Sequence, residues 1–204
     1  MRPDHRWMAV VAVAGGFLLG FLDFVWIRFM PSAVAHLGNS SAVWAVAAFW
    51  YGYRARAWRV AAGGAAVGLV VAVPSYYLAA TLVQDDDLAV IGQPSSLLWM
   101  AFGVLAGVVF GVAGAWARTD GWRQVVGAAA PGAVLFAEAA LLAGRVGDPS
   151  YGTEPAWQAA LDVALGVLVV VLAVAPWRRR LQALAAAVPL AVVGVAAFVV
   201  AGFG

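Results

Sequence analysis

The chain has 204 residues, 65% of them apolar and only 11% charged, with a mean hydropathy of +0.92, whereas soluble domains are about half apolar. So little charge cannot cover the surface of a soluble fold, and the absence of cysteine excludes disulfides, thiol catalysis and cysteine-ligated metals. Apolar runs that match a bilayer core about 30 Å thick predict an all-α, polytopic membrane helical bundle, since backbone groups in lipid must pair within their own segment.

In chain order, the N-terminal MRPDHRW leads into an apolar run too long for a signal-peptide core and without a small-residue cleavage site, so it reads as a retained first span. Spans are predicted near 7 to 28, 41 to 53, 60 to 83, 96 to 116, 125 to 143, 157 to 175 and 183 to 203, about seven in all, forming one domain over 1–204. Alternating the sides puts Arg2, Arg6, Arg54, Arg56, Arg59, Arg118, Arg123, Arg178, Arg179 and Arg180 on one face. By the positive-inside rule that face is cytoplasmic. The N-terminus is then expected inside and the C-terminus outside a cell membrane, with Asp85, Asp86, Asp87, Asp148 and Glu154 on the outer face.

The second span is too short to cross alone. The preceding PSAVAHLGNSS (31–41) is expected to dip into the membrane as a short helix, break at Gly38 and restart with Asn39, Ser40 or Ser41 as N-cap. An outer loop followed by a short helix is the plainer alternative, and a half-helix N-terminus at the break would favour an anionic ligand group. Gly16 and Gly20, Gly64 and Gly68, and Gly103, Gly107 and Gly111 recur at helical spacing and mark helix-packing faces.

Three acids fall inside the spans: Asp23 late in the first, Glu138 in the otherwise apolar VLFAEAALLAGR (134–145), and Asp162 early in the sixth. All three are expected at similar depth in the outer half of the bilayer. Intramembrane carboxyls are functional by default, and a desolvated carboxyl held neutral can donate a proton. Glu138, Asp162 and Asp23 are therefore the candidate catalytic residues. His36, Tyr76, Tyr77, Trp99, Trp44 and Phe136 are the candidate substrate-binding set, because aromatic faces stabilise cations. Arg145 and Arg28 are expected to close the mouth of this pocket. For each feature the bland reading stands beside the functional one: acids neutral and bonded to another helix, aromatics filling space, and Asp85–Asp87 a solvated loop. No nucleotide, dinucleotide or metal motif occurs, and His5 and His36 alone make no metal site, so no cofactor and no nucleic acid are expected.

The segments NSSAVWAVAAFWYG (39–52), PSYYLAATL (74–82), GVAGAWAR (111–118) and GAVLFAEAALL (132–142) resemble an actinobacterial integral-membrane family of unknown function. More loosely, size, span count and intramembrane acids resemble the small bacterial membrane-bound terpene cyclases that act on prenylated indoles or diketopiperazines. That resemblance implies an acid-catalysed isomerase in which Glu138 protonates an alkene or epoxide, aromatics guide the cation, and Asp162 or Asp23 orients the acid or takes the final proton. The aspartate-rich DDxxD and DxDD motifs of other terpene synthases are not matched at 84–89. The alternative is a small-solute transporter or membrane substrate-binding subunit, for which buried acids and a broken helix are equally natural and which would need an energising partner. A purely structural protein would explain the glycines but not three buried acids. Under every reading the chain's surroundings are the lipid bilayer, and under the first its partner is a hydrophobic small molecule.

Overall fold

The computed structural model describes residues 5–202; Arg2, expected at the basic end, lies outside them. Among the described residues the chain is helical, without strands. In order it forms α1 (His5–Phe29), α2 (Ser32–Ala35), a 3₁₀ turn (His36–Asn39), α3 (Ser41–Ala55), α4 (Trp58–Gln84), α5 (Pro94–Trp116), α6 (Trp122–Ala143), α7 (Glu154–Ala173) and α8 (Trp177–Val200), with short 3₁₀ turns at Leu88–Gly92 and Pro149–Tyr151. Six of the helices, α1 and α4 to α8, are long and apolar enough to cross a membrane, as a multi-pass membrane protein requires. The second predicted span is the exception: α3 has 15 residues, about 22 Å of rise against about 30 Å of hydrocarbon.

Helix ends follow local chemistry. Pro94 opens α5 and Pro155 sits in the first turn of α7, where a missing N–H costs nothing. Helix α8 starts at Trp177, six residues before the expected boundary, with Arg178, Arg179 and Arg180 in its first turns. Charge marks where a helix leaves lipid, not where it stops being helical, and Arg180 Nε donates to the carbonyl of Val174 at 2.8 Å.

Lipid supplies no hydrophobic force between helices, so small residues that let backbones approach set the packing. A side chain on Gly16 or Gly20 would strike the backbone of Gly68 or Ala72, which locks α1 to α4; Gly52 meets Gly111 in the same way, joining α3 to α5, and Gly127 meets Ala113, joining α6 to α5. Bulky apolar groups such as Leu18, Leu22, Leu105, Val109, Val192 and Val193 point outward, the inside-out pattern of a lipid-facing surface.

Short as it is, α3 occupies the centre, touching α1, α4, α5 and α6. Trp7 of α1, Arg54 at the end of α3 and Arg118 just after α5 line one cavity, so these ends share one side of the bundle. Phe24 of α1 stacks edge-on with Tyr76 of α4 at 5.3 Å toward the other side.

Candidate functional site

The chain after α1 turns back on itself at Pro31. Helix α2 is held at both faces: Trp26 Nε1 donates to the Val34 carbonyl at 2.9 Å, and Ser32 Oγ donates to Glu154 Oε1 at 2.6 Å. One turn along α7, Gln158 Nε2 reaches the Ser32 carbonyl at 3.5 Å. Glu154, Gln158 and Asp162 stand at i, i+4 and i+8, one face of α7, and the last of them meets His36.

The helix does break, but at Ser40 and not at Gly38. Ser40 is extended (φ −91°, ψ 117°) and caps α3, its Oγ accepting the Val43 N–H. Gly38 is instead a packing residue: a Cβ there would lie 2.7 Å from Ile27 Cγ1 and 2.9 Å from the Asp23 carbonyl. Gly38 is buried there and does not line either of the cavities described below.

All three intramembrane acids converge on this segment. Asp162 Oδ1 lies 3.3 Å from His36 Nε2. Glu138 accepts the Ser40 hydroxyl on Oε2 at 2.5 Å and the Ala42 N–H on Oε1 at 2.9 Å. Asp23 Oδ2 accepts the Trp44 indole N–H at 2.8 Å. Residues 36, 40 and 44 are spaced by four, and their acids come from α7, α6 and α1. A broken helix in lipid leaves orphan N–H groups that need acceptors, and Glu138 serves the N-terminus of α3 directly. The expected opening there for an anionic ligand is therefore corrected: the position already holds a carboxylate.

Of the three acids, Asp23 lines an aromatic cavity. Asp23 joins Ser40, Ser41, Trp44, Tyr76, Tyr77 and Trp99 around a space of about 230 Å³, with Phe102 behind it. Tyr76 and Tyr77 meet edge to face at 5.6 Å, as do Trp99 and Phe102 at 6.1 Å. Of the expected site, Asp23, Trp44, Tyr76, Tyr77 and Trp99 thus come together. Glu138, Asp162, His36 and Phe136 do not line this space. Phe136 packs its ring against Gly166 of α7, because α6 turns that face toward α7 and α8. Asp162 is wholly buried, and its Oδ2 and the Nδ1 of His36 have no hydrogen-bond partner.

The arginines expected at the mouth stand elsewhere. Arg145 lies over the Tyr151 ring at 5.1 Å and Arg28 over Phe29 at 5.6 Å, since both follow their helices out to the surface. Asp85–Asp87 form an exposed loop as expected, with Asp87 capping the turn through the Ala89 N–H at 2.9 Å. Among the described residues no cluster of three metal-ligating side chains occurs.

A second, larger cavity of about 980 Å³ was not anticipated. It opens at the arginine end between α1, α3 and α4, with Arg54, Arg56 and Arg118 on its wall. Small residues on facing helices were its sequence signal, but the same residues also signal contact. Leu69 borders both cavities. A family model described as a family of unknown function, DUF6518, matches residues 2–202. No curated protein and no solved structure matches the chain.

Proposed function

This chain belongs to the DUF6518 family of unknown function, and from that premise we propose that it is a membrane-embedded binding protein of the small-solute transporter kind, whose ligand is a small organic cation. The observation that carries this reading is the Asp23 carboxylate in a cavity walled by Trp44, Tyr76, Tyr77 and Trp99. A carboxylate supplies the counter-charge, and aromatic faces attract ammonium groups by roughly 0.5 to 2 kcal/mol each. The cavity of about 230 Å³ falls below the roughly 300 Å³ at which drug-sized sites begin, which favours a compact solute. The reading includes seven passes, with α2 and α3 together making the second, the arginine end in the cytoplasm, and an energising partner.

A second reading, acid-catalysed isomerisation of a prenylated molecule, draws on the same carboxylate and rings. Asp23 would then be the proton donor, because both oxygens of Glu138 are engaged by Ser40 and Ala42. Size weighs against it: the larger space, long enough for a prenyl chain, is at the arginine end, where among the described residues no acid is on the wall.

Tetramethylammonium and its neutral isostere neopentane separate these readings by calorimetry on detergent-solubilised protein. The cation is expected to bind at least tenfold more tightly than the isostere, and Asp23→Asn, whose amide oxygen still accepts from Trp44, is expected to remove that preference while the protein stays folded. Equal binding of the two ligands overturns the cation site. Turnover of a prenylated indole by the wild type, lost in Asp23→Asn, would establish the isomerase instead.

A further inference from the structure

The cavity at the arginine end has a distinct chemistry, and we infer that it is a binding site for a membrane amphiphile with an anionic, phosphate-like head, its tail lying along α1. The site is separate from the Asp23 cavity and does not depend on the function proposed for that cavity.

Three observations converge. First, the space is large, about 980 Å³, and the bundle has left it open: Gly15 lies on its wall, and a Cβ built there meets nothing within 4 Å, although Gly16 beside it is closed against α4. Second, the wall is apolar along its length. Met8, Val11, Ala12, Gly15 and Leu19 follow one face of α1, and the helix rises about 16 Å from Met8 to Leu19, enough for an extended tail of about a dozen carbons. Third, the charge is all of one sign. Arg54, Arg56 and Arg118 lie at one end, and among the described residues no acid lines the cavity.

Arg118 is already oriented. Its Nη1 donates to the Tyr53 hydroxyl at 3.0 Å, and its guanidinium lies 4.8 Å from the centre of the same ring. A guanidinium fixed in this way presents its other N–H groups as a planar fork suited to phosphate oxygens. The other end is lined by Leu19 and Leu69, which offer nothing to a polar head. Head and tail are therefore assigned by position: head among the arginines at the membrane surface, tail toward the bilayer centre.

The test is native mass spectrometry of the full chain in a neutral detergent, titrated with dodecyl phosphate, dodecanol or inorganic phosphate. Dodecyl phosphate is expected to bind one to one, and both dodecanol and inorganic phosphate much more weakly. Replacing all three arginines, Arg54→Gln, Arg56→Gln and Arg118→Gln, should weaken dodecyl phosphate by about a hundredfold, since each arginine near an anionic group contributes roughly fivefold. Gly15→Phe, which fills open space and leaves the charges intact, should weaken it by about tenfold or more while the protein keeps its melting temperature. Equal binding by wild type and Gly15→Phe overturns the tail site. Inorganic phosphate binding as tightly as dodecyl phosphate overturns the amphiphile in favour of a free anion, and an unchanged affinity in the triple variant overturns the head site.

Discussion

Glu138 holds Ser40: one carboxylate oxygen on α6 accepts a hydrogen bond from the hydroxyl of the residue at which the helix breaks before α3, and the other accepts the N–H of Ala42. An acid in the middle of an apolar helix is thereby accounted for by the capping hydroxyl and a first-turn N–H of another helix, a backbone donor that has no acceptor within its own helix.

Removing that acceptor should be costly in a specific way. Glu138→Ala strands the Ser40 hydroxyl and the Ala42 N–H, at about 1 to 3 kcal/mol for each buried group left unbonded, so a loss near 3 kcal/mol is expected. Glu138→Gln can accept from Ala42 and donate to Ser40 Oγ, and about 1 kcal/mol is expected. Reversible unfolding in mixed micelles reads both numbers. Equal losses for the two variants would refute the capping role, and a folded Gln variant that loses turnover of a prenylated substrate would restore Glu138 as a proton donor.

The acids themselves were legible in the sequence, because a carboxyl inside an apolar run announces itself against Val, Leu and Ala. So was the shortness of the second span. Their partners were not, since helix rotation decides which way a carboxyl points. Asp23 and Glu138 both reach the segment around Ser40, yet of the two Asp23 lines the aromatic space, because α6 turns Glu138 toward the break. Small residues were ambiguous for a related reason: Gly16 touches α4 while its neighbour Gly15 borders a void, and nothing in the run AGG distinguishes contact from vacancy. Gly38 misled as a helix breaker because a glycine can also be required by a close neighbour, here α1.

The pair of His36 and Asp162 calls for a double-mutant cycle. His36→Leu leaves a wholly buried carboxyl without its one partner, at roughly 3 kcal/mol or more, whereas replacing both partners with apolar groups is often close to neutral. The double variant His36→Leu with Asp162→Leu should therefore be more stable than His36→Leu alone. Strict additivity of the two single losses, measured by thermal unfolding, would show that the two side chains do not act as a pair.

Sidedness can be read with single introduced cysteines, because the chain has none of its own. Asp86→Cys and Pro149→Cys are expected to react in intact cells with a membrane-impermeant maleimide, and Arg179→Cys only after the cells are opened. The reverse pattern would put the Asp23 cavity on the cytoplasmic side and the arginine-lined cavity outside.

The tethers at 36, 40 and 44 also order events during synthesis. The segment from Ser32 to Ala55 holds all three tethers, and two of their three acids lie more than ninety residues downstream, at separations of 98 for Ser40 with Glu138 and 126 for His36 with Asp162. When that segment leaves the ribosome, α6 and α7 do not yet exist. At typical elongation rates of about 5 to 20 residues per second, several seconds pass before Asp162 is made. During that interval Asp23 is the one acid of the three already made, and the His36 ring, the Ser40 hydroxyl and the Ala42 N–H lack the partners they have in the folded chain, so the broken segment gains those tethers only after α6 and α7 follow.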